Sequence, residues 1–139
     1  MFCSKILVAY DGSASSQAAL KLLDSFIEAD PLVEVVYFHA LRIYTAGAEA
    51  GAQIAVDQET DAEAYLDQLV AARPDFSKKV VEPSVSPASD ILHAVKEEGC
   101  DLIIMGSRGK GGIRGYLGSV SYSVLQRSEV PVLIAKEEE

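Results

Sequence analysis

The sequence predicts an α/β fold: a doubly wound, open, five-stranded parallel sheet with helices on both faces and strand order 3-2-1-4-5. Three observations carry that expectation. Two of five short apolar runs, ILVA at 6–9 and LIIM at 102–105, are apolar at every position, the pattern of parallel strands buried on both faces. Segments with apolar residues at helical spacing separate the runs, giving βαβ, then a loop and a helix, then βαβαβ. Six of the ten glycines fall in MGSRGKGGIRGYLGSVSYS, residues 105–123, between the fourth run and a final helical segment. Such a concentration costs backbone entropy and opens positive φ and close approach to the chain.

The elements follow in order. After ILVA, residues 15–28 carry Ala19, Leu22, Leu23, Phe26 and Ile27 as a helical stripe, with Ser13 placed to cap it. The second strand is VEVVYFHAL at 33–41. Residues 43–56 alternate Ala and Gly without a period and read as an irregular connection, either a plain surface loop or a lid. A weaker stripe of Leu66, Leu69 and Val70 marks a helix over 57–72, and KVVEPSV at 79–85 the third strand. Ser86-Pro87 supplies a cap and a first-turn proline to the third helix, whose stripe is Ile91, Leu92 and Val95 and whose stop is Gly99. LIIM, a helix over 119–127 and VPVLIA at 130–135 complete the chain.

A length of 139 residues and 49% apolar content predict a single domain over 1–139 with a sizeable core. The formal charge of −9 argues against a nucleic-acid partner, which requires clustered Lys and Arg, but leaves room for a small anion held by a few amides. Cys3 and Cys100 are too few for a disulfide framework and read as inert thiols in a reducing compartment. MFCSKILVAY lacks a basic stretch followed by a long apolar one, and no apolar run nears a membrane span, so a cytoplasmic protein with no membrane contact is expected.

In open α/β sheets ligands sit outside the carboxyl ends of strands, where the winding reverses. The loops after the first and fourth strands are therefore the candidates. The first, AYDGS, offers the carboxylate of Asp11, which can contact a ligand or cap a turn. The other is the glycine loop, which runs into a helix start bearing Ser119 and Ser121. Amides and hydroxyls at a helix N-terminus make an anion site, and phosphate is the natural anion. Gly109-Lys110 is followed by Gly111, so a P-loop ending is missing, and no GxGxxG aligns within 106–118.

The loop does contain GxxG, Gly106 to Gly109, then eight residues, then Gly118-Ser119. Here, and in KILVAYDGSASSQAAL, VVYFHAL, PASDILHAVKEEGCDLIIMGSRG and GSVSYSVLQRSEVPVLIAK, the sequence resembles the ATP-binding branch of the universal stress protein family. That branch has nine residues where this chain has eight, and Gly111, Gly112 and Gly115 lie in the shortened spacer. The resemblance implies that Asp11 contacts adenine and ribose, with Ala9 and Tyr10 leading into its turn. Ala40 would meet the adenine edge, and Met105 would precede the first glycine. Gly106, Arg108, Gly109, Gly118, Ser119, Val120 and Ser121 would line ribose and phosphates. It further implies ATP as cofactor, with AMP or ADP as alternatives, and Mg or Mn held by the phosphates.

The remaining polar residues read as structural. Lys110 and Arg114 read as solvated loop charges, His39 and His93 as structural histidines, and the acidic group Asp57, Glu59, Asp61 and Glu63 as a solvated face, as does the EEE tail. No Ser, His and Asp set converges on the strand ends, so no catalytic residue is expected and at most weak ATP hydrolysis. Pro131 removes an amide donor within the last run and marks it as an edge, which invites pairing. Members of the resembled family pair through this strand, implying a homodimer through residues 130–135, from Val130 to Ala135, and an unidentified protein partner. A dimeric, stress-responsive adenine-nucleotide switch is the leading expectation; a nucleotide-free interaction module of the same fold is the other.

Overall fold

The computed structural model describes residues 3–45, 54–56, 60–108 and 117–137. In chain order they form β1 (Lys5–Ala9), α1 (Ala14–Ala29), β2 (Glu34–Thr45), β3 (Ile54–Val56), α2 (Thr60–Ala72), β4 (Ser77–Ser84), α3 (Pro87–Glu98), β5 (Leu102–Gly106), α4 (Ser119–Arg127) and β6 (Val132–Ala135). The parallel strands lie in the order β4-β2-β1-β5-β6, the expected 3-2-1-4-5 arrangement. One addition lies inside the segment read as a loop: residues 43–45 extend β2 and pair antiparallel with β3. The intervening residues 46–53 lie outside the described part.

Strand alternation sorts the core into two layers. Ile6 and Val8 of β1, Val35 and Tyr37 of β2, and Leu102 and Ile104 of β5 pack with Ala19, Leu20 and Leu23 of α1 and Leu66 of α2. Leu7, Val36, Phe38, Ile103 and Met105 face the other way, against Ile91 and Val95 of α3 and Val124 of α4. Helices therefore cover both faces, which is why β1 and β5 read as unbroken apolar runs.

Helix ends follow local chemistry. The Ser13 side chain accepts from the Ser16 amide at 3.2 Å and caps α1. Pro87 opens α3, and Gly99 closes it at φ +71°, the left-handed region that glycine enters freely. Ser86 occupies the cap position of α3 with its carbonyl accepting from the Asp90 amide, but its side chain makes no cap bond. The buried stripe of α1 also departs from expectation. Leu20 is buried and Leu22 is exposed, because 19, 20, 23, 26 and 27 form the continuous i, i+3, i+4 series and 22 lies to its side.

Candidate functional site

The chain winds outward from β1 to β2 and β4, then returns to the far side of β1 with β5 and β6. The winding thus reverses between β1 and β5, and the crevice outside their carboxyl ends is the candidate site. Three segments meet there: residues 9–13 after β1, residues 106–108 after β5, and the first turn of α4.

Buried serines pin these segments together. Ser15 Oγ donates to the Arg108 carbonyl at 2.6 Å, and Ser13 Oγ reaches the same oxygen at 3.4 Å. The Ser107 carbonyl accepts from the Gly118 amide at 2.7 Å and from Ser121 Oγ at 2.7 Å, tying the start of α4 to the end of β5. The Ser107 amide in turn donates to Ala135 at 2.8 Å. Gly106 allows the closest approach: a Cβ there would stand 2.4 Å from Ser15 Oγ and 2.7 Å from the Ser15 carbonyl carbon.

The expected site residues that are described lie along this edge. Asp11 forms an Asx turn, Oδ1 accepting from the Ser13 amide at 2.9 Å, which fixes its carboxylate at the mouth of β1. Ala9 ends β1 in register with Phe38, so Ala40 lies two residues further along the longer β2, level with Asp11. Tyr10 is a core residue: its ring stands 5.7 Å from that of Tyr65, its hydroxyl accepts from Gln17 at 2.6 Å, and its amide donates to Phe38. Met105 likewise packs its side chain beneath α3 and α4, and only its place at the strand end belongs to the crevice. Gly118 and Ser121 direct their amide and hydroxyl at Ser107. Ser119 and Val120 open α4, where first-turn amides have no acceptor within the helix. Gly109, with the spacer glycines, Lys110 and Arg114, lies outside the described residues.

One residue, Glu137, departs from its sequence reading. The Arg108 guanidinium makes an ion pair with Glu137, both side chains under one-fifth exposed. Glu137, read as part of a solvated tail, is thus drawn into the site by register: Gly106 pairs with Ala135, so residues two beyond those ends meet. The acidic face of α2 is exposed at Asp61 and partly exposed at Glu63, and it carries a surface ion pair. Lys79 of β4 bonds both Glu63 at 3.0 Å and Asp67 at 2.6 Å, and these partners hold its pKa above the ordinary lysine value. Asp57 and Glu59 lie outside the described residues.

His39 Nδ1 lies 2.7 Å from the Tyr10 carbonyl oxygen, and Nε2 of exposed His93 lies 3.2 Å from a Glu97 carboxylate oxygen. Burial pushes the Cys100 thiol up to about 11, so it stays protonated at neutral pH. It lines a groove of ≈ 490 Å³ between α3 and the approach to β6, at the amino ends of the strands and away from the candidate site. Among the described residues there is no group of three metal-ligating side chains and no helix long and apolar enough to cross a membrane.

Fold and crevice together define a class, an α/β protein whose candidate ligand site lies at the switch point of a doubly wound parallel sheet. The family model described as the universal stress protein family matches residues 3–136. The chain belongs to that family. Universal stress protein Rv2005c of Mycobacterium tuberculosis is 32% identical over 138 residues, 95% of this chain and 45% of that relative. The chain spans about half the length of the curated relatives it matches. Among solved structures, a universal stress protein in complex with cAMP shares the fold at a TM-score of 0.66 and 23% identity, covering 99% of this chain and 100% of its own. A universal stress protein from Archaeoglobus fulgidus in complex with dAMP does so at 0.66 and 18%, covering 98% and 100%.

Proposed function

We propose that residues 1–139 form one adenine-nucleotide-binding domain that acts in the stress response as a dimeric switch in the cytoplasm, its bound and free forms differing in the protein partner they engage. The observation that carries this reading is the convergence of the Asp11 turn, Arg108 and the first turn of α4 on one switch-point crevice. Asp11 would face adenine and ribose beside Ala40, and the amides of Ser119 and Val120 would meet phosphate. Gly109 is proposed to line the same phosphates. The cAMP and dAMP held by the two fold neighbours favour an adenine nucleotide. ATP is the proposed ligand, with AMP or ADP as alternatives, and Mg or Mn would be carried by its phosphates. No general base is proposed, and binding rather than turnover is the role.

The homodimer is proposed through the outer edge of β6, which no strand among the described residues pairs. Val132 and Ile134 are supported here: Pro131 and Ala135 offer their carbonyls to β5, so the alternation of a parallel ladder turns the amides of 132 and 134 outward. A second reading, a nucleotide-free interaction module, draws on one observation: the Gly118 amide, the Ser121 hydroxyl and the Arg108 guanidinium are bonded within the protein. Calorimetric titration of nucleotide-stripped protein with ATP plus Mg²⁺, and with AMP, separates the two. Stoichiometric heat supports the switch; no heat from either ligand, with no nucleotide retained, overturns it in favour of the module.

A further inference from the structure

We infer that Glu137 is an internal competitor of nucleotide phosphate for Arg108, and thereby sets how much phosphate charge the site accepts. The inference rests on the nucleotide reading above and adds to it a residue of the C-terminal tail.

The placement follows from register. β5 and β6 pair in parallel as far as Gly106 and Ala135, and the Ser107 amide continues the ladder by donating to Ala135. Residues 108 and 137 then stand side by side beyond the carboxyl ends, at the mouth of the crevice. Their ion pair is sheltered, with side chains 16% and 19% exposed. The backbone of Arg108 is fixed as well, its carbonyl held by Ser15. The guanidinium therefore works from an anchored backbone.

A carboxylate bonded to the cation of a phosphate site has two effects. Incoming phosphate must displace it or share the guanidinium with it, and the displaced charge still repels phosphate at short range. Both effects grow with phosphate charge. AMP, with one phosphate, meets a small penalty; ATP meets a large one, relieved in part by a divalent ion. Glu137 is accordingly a specificity-determining residue, acting on ligand charge and not on the base.

The test is calorimetric titration of the full chain with AMP, ADP and ATP, without and with Mg²⁺, in wild type, Glu137→Gln and Glu137→Ala. Both variants should bind tighter, by roughly twofold for AMP and about tenfold for metal-free ATP, as expected when one like charge is removed nearby. Mg²⁺ should shrink the ATP gain. In an Arg108→Gln background the gain should fall, because the competed-for group is gone. Nucleotide binding that neither variant alters, a gain equal for AMP and ATP, or a gain undiminished without Arg108 would each overturn the inference while leaving nucleotide binding standing. Binding by the Glu137 variants alone would support it strongly. No binding by wild type or either variant would instead remove the nucleotide reading, and this inference with it.

Discussion

Gly99 and Gly106 show two different needs for a residue without a side chain. Gly99 ends α3 at φ +71° with no atom within 4 Å of where a Cβ would stand, so its need is conformational. Gly106 has Ser15 packed against it, so its need is space. Gly99→Ala should cost about 1 kcal/mol of stability and leave the crevice unchanged. Gly106→Ala should cost roughly 1–3 kcal/mol, since backbone must move, and should weaken nucleotide binding as well. Denaturant titration beside calorimetry distinguishes them; equal effects of both on binding would refute the assignment. Cys100 gives a pH-dependent prediction. Burial raises its thiol from 9.0 to about 11, so its contribution to stability is complete below about pH 9, where the unfolded thiol is also protonated. It disappears as pH rises toward 11, because the unfolded chain ionises first. The thermal midpoint should therefore fall across that window more steeply in wild type than in Cys100→Ala, as measured by scanning calorimetry.

At the scale of elements, α1 is both a structural helix and the clamp of the site. Ser13 caps it and Ser15, in its first turn, holds Arg108. Ser13→Ala should lose about 1 kcal/mol with the cap. Ser15→Ala should lose a similar amount through an undersupplied carbonyl, and should additionally lower nucleotide affinity, which titration of the two variants would compare. Capping by Ser13, the proline start and glycine stop of α3, and the bounds of α4 were legible in the sequence because each depends on neighbours within one turn. Leu20 against Leu22 was not, since a stripe of mixed alanines and leucines admits two faces and only the sheet chooses between them. The β3 pairing was hidden for a related reason: three residues of strand carry too little pattern to stand out from an Ala- and Gly-rich connection.

For the molecule as a whole, strand order and helix placement were readable because a doubly wound chain leaves few alternatives once the element order is known. The location of the crevice came with that topology. Its internal bonding did not: Arg108 with Glu137 and with Ser15 are contacts between distant parts of the chain, set by register and invisible to local spacing. The edge strand β6 yields a further prediction. Val132→Pro removes an outward amide without breaking a bond to β5, so sedimentation should show a wild-type dimer and a largely monomeric variant; a dimer in both would exclude pairing through this edge. The two hydrogen bonds that the Ser107 carbonyl accepts from Gly118 and Ser121 reach beyond binding. They fasten the end of β5 to the start of α4 directly, so the position of α4 is set by contacts among these residues. Closing eight spacer residues in place of nine alters loop entropy by only about 0.1 kcal/mol. Ser107 is thus a mooring point: the helix start and the mouth of the crevice are tied to the sheet by a single carbonyl, whatever the length of chain between them.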